Sequence, residues 1–125
     1  MTEERLYTAE EATALLEDLK VRLVRIRDAR KTLIRTSERV RDRVVADAGG
    51  GSDAGREYWE ASRTLKAEIE YLAAEDIVLR DPDQGLVDFP GEVEGRRVWL
   101  CWRVGEDRVA HWHDLESGFA GRRPL

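Results

Sequence analysis

The sequence predicts an α+β fold, in which a long, coiled-coil-like antiparallel helical hairpin is followed by a small antiparallel β-sheet of three or four strands. Apolar residues recur at a four-three spacing in the first 75 residues, and strand-like alternation replaces that spacing after residue 85. A glycine run at residues 49–51 and a turn-rich segment at residues 81–85 separate these stretches. A chain of 125 residues has the size of one domain, so we expect a single domain over residues 1–125.

The first helix is predicted over residues 8–47. Thr8 and Glu11 have the spacing of a capping box, in which each side chain binds the backbone amide of the other residue. From this cap onward, eight of ten positions at the four-three spacing are apolar, and no proline interrupts them before Gly49. These ten positions are Ala12, Leu16, Leu19, Leu23, Ile26, Arg30, Leu33, Ser37, Val40 and Val44.

The second helix is predicted over residues 52–75. Its positions at the same spacing are Tyr58, Ser62, Leu65, Ile69 and Leu72. A short glycine loop makes two such helices antiparallel neighbours, and at 1.5 Å per residue the longer one overhangs by about 27 Å. The overhanging apolar residues, from Ala12 to Leu23, need a cover, which is either the rest of the chain or a second copy. We therefore expect a homodimer.

The sheet is predicted over residues 77–114. Residues 86–89 form a short strand that ends at Pro90, and residues 98–104 and 108–113 flank a three-residue loop at residues 105–107. Residues 77–79 are a further candidate strand. The three-residue loop sets Leu100 opposite Trp112 and Cys101 opposite His111.

One face of this hairpin gathers the single cysteine and both histidines of the chain, which are Cys101, His111 and His113. Thiolate and imidazole are preferred ligands of zinc and other transition metals, and three such ligands leave an open position. Candidates for a fourth ligand are Asp88, Asp114 and Glu116, and either of the last two is a candidate base for a metal-bound water. The alternative is a packed or partly exposed sheet face without any ion.

The C-terminal tail, residues 115–125, is basic and bracketed by glycines. Its Arg122 and Arg123 are candidates for binding an anion, and the alternative is a tail whose arginines are simply solvated. No Walker loop, dinucleotide-binding glycine motif, His-Glu-x-x-His or Cys-x-x-Cys motif occurs, so no catalytic residue is assigned.

The charge distribution argues against a dedicated nucleic-acid-binding protein. The net charge is −5 although residues 20–43 are strongly basic, and the arginines of that segment form no single stripe on a helical wheel. We expect them to meet acids on the facing helix instead, namely Glu57, Glu60, Glu68 or Glu75. No apolar stretch is long enough to cross a membrane and the first residues do not resemble a signal peptide, so a cytoplasmic location is expected.

Three segments of the C-terminal half resemble the bacterial domain of unknown function DUF2203. They are Gly85–Pro90, Val98–Glu106 with Leu-Cys-Trp-Arg at its centre, and Trp112–Arg122. The N-terminal pattern Tyr7–Ala12 is similar to the opening of that family. The resemblance implies a bacterial protein with a helical hairpin and a small sheet, and it implies no activity.

Two functions follow as expectations. The first is a small cytoplasmic interaction or scaffold protein that forms a homodimer through its helices and has an unidentified protein partner. The alternative is a metal-binding enzyme or sensor built on Cys101, His111 and His113.

Overall fold

The computed structural model describes the backbone of residues 3–46 and 53–125, and the side chains of residues 3–39 and 53–125. The predicted apolar positions Val40 and Val44 lie outside the described side chains. The fold is α+β, as predicted. The elements are α1 (Ala9–Ala14), α2 (Leu16–Ala46), α3 (Asp53–Ala74), β1 (Val78–Asp81), β2 (Leu86–Val93), β3 (Arg96–Arg103), β4 (His111–His113) and β5 (Arg123–Pro124). None of the helices in the described part combines the length and the apolar character that a membrane span needs.

The first helical arm begins at the predicted cap. The Thr8 hydroxyl accepts the Glu11 amide at 3.0 Å, and the Glu11 carboxylate accepts the Thr8 amide at 2.9 Å. The expected continuous helix is interrupted at Leu15, whose amide bonds to the carbonyl of Ala12, three residues back, at 3.1 Å. A single tighter turn leaves the apolar residues on the same side of the helical arm. The spacing of these residues therefore did not indicate that the helix is interrupted at Leu15.

The chain forms two compact units, the first being Met1–Leu23 with Tyr71–Leu125 and the second being Val24–Glu70. In the first unit Ala12, Leu16, Leu19 and Leu23 are at most 3% exposed in a single chain. The overhanging residues that suggested a homodimer are therefore covered by the chain itself. A second copy is not needed to bury them.

In the second unit α2 and α3 are antiparallel, as expected for a hairpin. Arg35 contacts Glu57 at 2.6 Å and Arg25 contacts Glu68 at 3.2 Å, so positions that ascend along α2 meet positions that descend along α3. Glu57 and Glu68 are two of the four acids expected to face the basic segment. These arginines form ion pairs within the chain.

The buried face of α3 includes the predicted Leu72, which is 2% exposed, but it differs from the predicted face at other positions. Tyr58 is 41% exposed and Ile69 is 42% exposed, whereas Ala54, Ala61 and Glu68 are buried. The buried set recurs every seven residues, as the predicted set also does, so the period alone cannot distinguish the two faces. The ion pair with Arg25 compensates the burial of Glu68.

Within the described residues the sheet has five antiparallel strands in the order β1-β2-β3-β4-β5, where three or four were expected. The added strand, β5, lies in the predicted tail, and its two residues are too few to show alternation. β2 also runs through Pro90, where the strand was predicted to end. Proline is tolerated there because β1 pairs only with residues 86–88, and the Pro90 carbonyl accepts the Tyr7 amide at 2.7 Å.

The predicted register of β3 and β4 is confirmed. Leu100 pairs with Trp112, and Cys101 pairs with His111. β4 begins at residue 111 and not at residue 108, so residues 104–110 connect the two strands. Hydrogen bonds to Glu106 take the place of strand-to-strand bonds in this connection. The Glu106 carbonyl accepts the Trp102 indole N–H at 2.9 Å, and the Glu106 carboxylate accepts the Arg103 amide at 2.8 Å.

Candidate metal centre

A group of three potential metal ligands lies on one face of the sheet. Asp88 on β2 pairs directly with Cys101 on β3, and His113 on β4 pairs with Trp99, two residues before Cys101. Alternation along the strands puts the three side chains on the same face. One carboxylate oxygen, the thiol sulfur and one imidazole nitrogen lie within 4.8 Å of one another. The exposed fraction is 1% for Asp88 and Cys101 and 4% for His113.

His111 does not join this group, although it pairs directly with Cys101. Its Nδ1 is buried, has no hydrogen-bond partner among the described residues and lies 3.9 Å from a Glu106 carboxylate oxygen, while the side chain as a whole is 32% exposed. Two of the three predicted ligands thus come together, and the third lies apart. Asp88, one of the three candidates for a fourth ligand, completes the group.

Asp88 and His113 form a buried hydrogen-bonded pair. His113 Nε2 is 2.9 Å from Asp88 Oδ2, and His113 Nδ1 is 2.8 Å from the backbone carbonyl oxygen of Asp114. The Asp114 carbonyl oxygen and the Asp88 carboxylate oxygen can only accept hydrogen bonds. Each ring nitrogen of His113 therefore carries either a hydrogen or a bound cation on the side that faces its oxygen. Asp88 Oδ2 also accepts the Arg80 Nε hydrogen at 2.8 Å. Asp88 Oδ1 is buried and has no hydrogen-bond partner in the described part of the chain.

The Cys101 thiol is held in its neutral form. Burial and the adjacent Asp88 charge raise its pKa to about 11, and the Arg122 guanidinium opposes this shift. The thiol therefore stays protonated at neutral pH unless a cation is bound. A coordinated metal ion deprotonates such a thiol.

The two arginines predicted to bind an anion lie in different environments. Arg122 forms two hydrogen bonds with Glu106, with Nη1 to Oε1 at 3.0 Å and Nη2 to Oε2 at 2.5 Å. Burial alone would raise the pKa of Glu106, but the bonds from Arg122 and the Arg103 amide lower it on balance. Arg123 is exposed, and its guanidinium lies 5.3 Å from the centre of the Trp112 ring.

A cavity of about 320 Å³ adjoins the ligand group. Its wall includes Asp88, Cys101 and His113 together with Arg80, Leu86 and residues 115–119. Glu116, one of the two candidate bases, is part of this wall. Asp114, the other candidate, is not part of it, and its carboxylate lies 3.5 Å from Arg96.

Arg80 was not predicted as part of this site. The register of β1 shifts between Leu79 and Asp81, so Arg80 lies at a bulge where alternation does not determine its face, and its bond to Asp88 is what places it at the site. The sequence did indicate a strand in this region, because residues 77–79 were a candidate strand. That strand continues to Asp81, two residues further than the candidate.

Comparison with known proteins identifies one family. A family model described as "Uncharacterized conserved protein (DUF2203)" matches residues 5–125. No curated protein and no solved structure matches the chain.

Proposed function

The chain belongs to the DUF2203 family, and because the description of that family states no activity, we propose a function from the site: the protein binds a zinc-like ion through Asp88, Cys101 and His113. The observation that carries the proposal is the buried Asp88 Oδ1, which has no hydrogen-bond partner among the described residues and belongs to a carboxylate grouped with the Cys101 thiol and the His113 imidazole. A buried carboxylate oxygen without a partner is costly, and a cation relieves that cost.

The donor set suits zinc or another transition metal. Zinc accepts carboxylate oxygen, thiolate sulfur and imidazole nitrogen at about 2.0 to 2.3 Å. Tetrahedral geometry at these bond lengths places donor atoms about 3.3 to 3.8 Å apart. The three donor atoms lie within 4.8 Å of one another, so small side-chain shifts bring them to bonding distance. The bond from His113 Nδ1 to the Asp114 carbonyl is the outer contact that orients a zinc-binding imidazole.

Three protein ligands leave a fourth position open, and the cavity offers that position a neighbouring space. Structural zinc sites are closed by four protein ligands, whereas catalytic sites keep one position for water or substrate. The site therefore supports an enzyme or a sensor more than a structural role. Glu116 in the cavity wall is our candidate base for a metal-bound water.

Titration of the purified full chain with Zn²⁺ and Co²⁺ tests the proposal. We expect one equivalent to bind, with a thiolate-to-cobalt charge-transfer band that Cys101→Ser abolishes. Cys101→Ser and His113→Asn should each lower zinc affinity at least about a hundredfold. His111→Ala is the matched control, since His111 lies on the same strand outside the group, and it should stay within about threefold of the wild type. Equal losses in all three variants, or no binding by the wild type, would contradict the proposal.

A second candidate function is the predicted interaction or scaffold role in the cytoplasm, with a homodimer formed through the helices. It is favoured by exposed apolar side chains on the helices of the second unit, which include Ile34, Tyr58, Trp59 and Ile69. Trp59 is 64% exposed, a large fraction for an aromatic side chain. Light scattering at micromolar concentration tests this function. A dimer that Ile69→Glu dissociates supports it, and a monomeric wild type contradicts it.

A further inference from the structure

We propose that the cavity beside the ligand group takes a small carboxylic acid with an apolar substituent, whose carboxylate is bound jointly by Arg80 and the metal ion. This inference rests on the proposed metal site and adds the chemical class of its ligand. Three observations support it: the hydrogen bonding of the Arg80 guanidinium, the charges that line the cavity, and the apolar residues in its wall.

Arg80 is held at one guanidinium nitrogen by the Asp88 carboxylate. Its Nε donates to Asp88 Oδ2 at 2.8 Å, and its guanidinium lies 5.0 Å from the centre of the Trp99 ring. Nη1 and Nη2 have no hydrogen-bond partner in the described portion of the chain. A guanidinium held in this way presents a planar pair of donors that matches the two oxygens of a carboxylate.

The charge near the bound ion favours an anion. A divalent ion balances the Asp88 carboxylate and a Cys101 thiolate, which leaves the charge of Arg80 uncompensated. Glu116 also lines the cavity, and water screens its exposed carboxylate. Arg80 differs from it in being anchored to the buried Asp88 carboxylate. An anion with one oxygen in the open metal position and the other near Arg80 completes this balance.

The remaining walls limit the rest of the ligand. Leu86, Leu115 and Phe119 give the cavity an apolar side. A volume of about 320 Å³ has room for about ten water-sized groups, at roughly 30 Å³ for each water molecule. An acid with a single ring or a short branched chain fits this space.

The test uses the Co²⁺-loaded full chain, with benzoate as the probe and benzamide as its neutral equivalent. We expect benzoate to change the cobalt absorption spectrum saturably and benzamide to have little effect. Arg80→Gln should weaken benzoate binding about tenfold or more, and Arg80→Lys, which keeps the charge without the planar pair, should fall between that variant and the wild type. Arg63→Gln, at an exposed position on α3, is the matched control and should bind benzoate like the wild type.

The outcomes separate this inference from the metal proposal. If Co²⁺ binds but benzoate leaves its spectrum unchanged, the inference is overturned and the metal site stands. Equal responses to benzoate and benzamide, or full benzoate affinity in Co²⁺-loaded Arg80→Gln, also overturn it. If Co²⁺ does not bind, both proposals are wrong.

Discussion

Replacement of the buried carboxylate at position 88 tests the site through protein stability. Asp88→Asn keeps the side-chain size but removes the charge that His113 Nε2 meets at 2.9 Å and Arg80 Nε meets at 2.8 Å. Hydrogen bonds to charged groups contribute about 1.5 to 3 kcal/mol each. The His113 bond is buried and counts fully, while Arg80 is 43% exposed and its bond is weakened by water. We therefore expect Asp88→Asn to lower the free energy of unfolding by about 3 kcal/mol.

Urea unfolding with a chelator present, followed by tryptophan fluorescence, measures this loss in the metal-free protein. The same experiment in excess zinc tests the role of Asp88 as a ligand. At a hundredfold excess over the dissociation constant, zinc should stabilise the wild type by about 2.7 kcal/mol. Asp88→Asn should gain much less. A metal-free loss below about 1 kcal/mol would show that the Asp88 charge contributes little to stability. Equal zinc stabilisation of both proteins would show that Asp88 is not a ligand.

Two further predictions concern the packing around the sheet. Burial raises the pKa of Tyr7 to about 12 from an ordinary value of 10.0, so the neutral phenol stabilises the fold. This contribution, on the order of 2 to 3 kcal/mol for about two pKa units, should be complete below pH 10 and lost as the pH rises through 12. The free energy of unfolding of Tyr7→Phe should not show this fall at alkaline pH. At neutral pH it should be about 1 kcal/mol lower than that of the wild type, because the hydrogen bond to the Glu75 carbonyl is lost. Gly91→Ala should destabilise the protein by about 1 to 3 kcal/mol, because its Cβ would lie 2.7 Å from Leu100 Cγ. Gly118→Ala, with no described atom within 4 Å, should change thermal stability little.

The sequence predicted those features of the site that backbone alternation determines. A period of two residues places Cys101 and His113 on one face once the hairpin register is known, and that register was correct. Alternation does not determine ring orientation, so it could not distinguish His111 from His113. Contacts to Glu106 and to the Asp114 carbonyl distinguish them.

Other features were missed because they carry no distinct periodic signal. The predicted and the observed faces of α3 share a seven-residue period, and the small side chains of Ala54 and Ala61 made the buried set less conspicuous than Tyr58 and Ile69. The two-residue strand β5 is too short to alternate. Contacts between elements distant in sequence, such as those of Arg122 with Glu106, depend on the folded arrangement.

X-ray absorption at the zinc edge measures whether the Cys101 sulfur is bonded to the ion. For the zinc-loaded full chain we expect one sulfur scatterer at about 2.3 Å and nitrogen or oxygen scatterers at about 2.0 Å, with the sulfur lost in Cys101→Ser. A spectrum with only nitrogen and oxygen scatterers in the wild type would place the ion away from Cys101 and contradict the account.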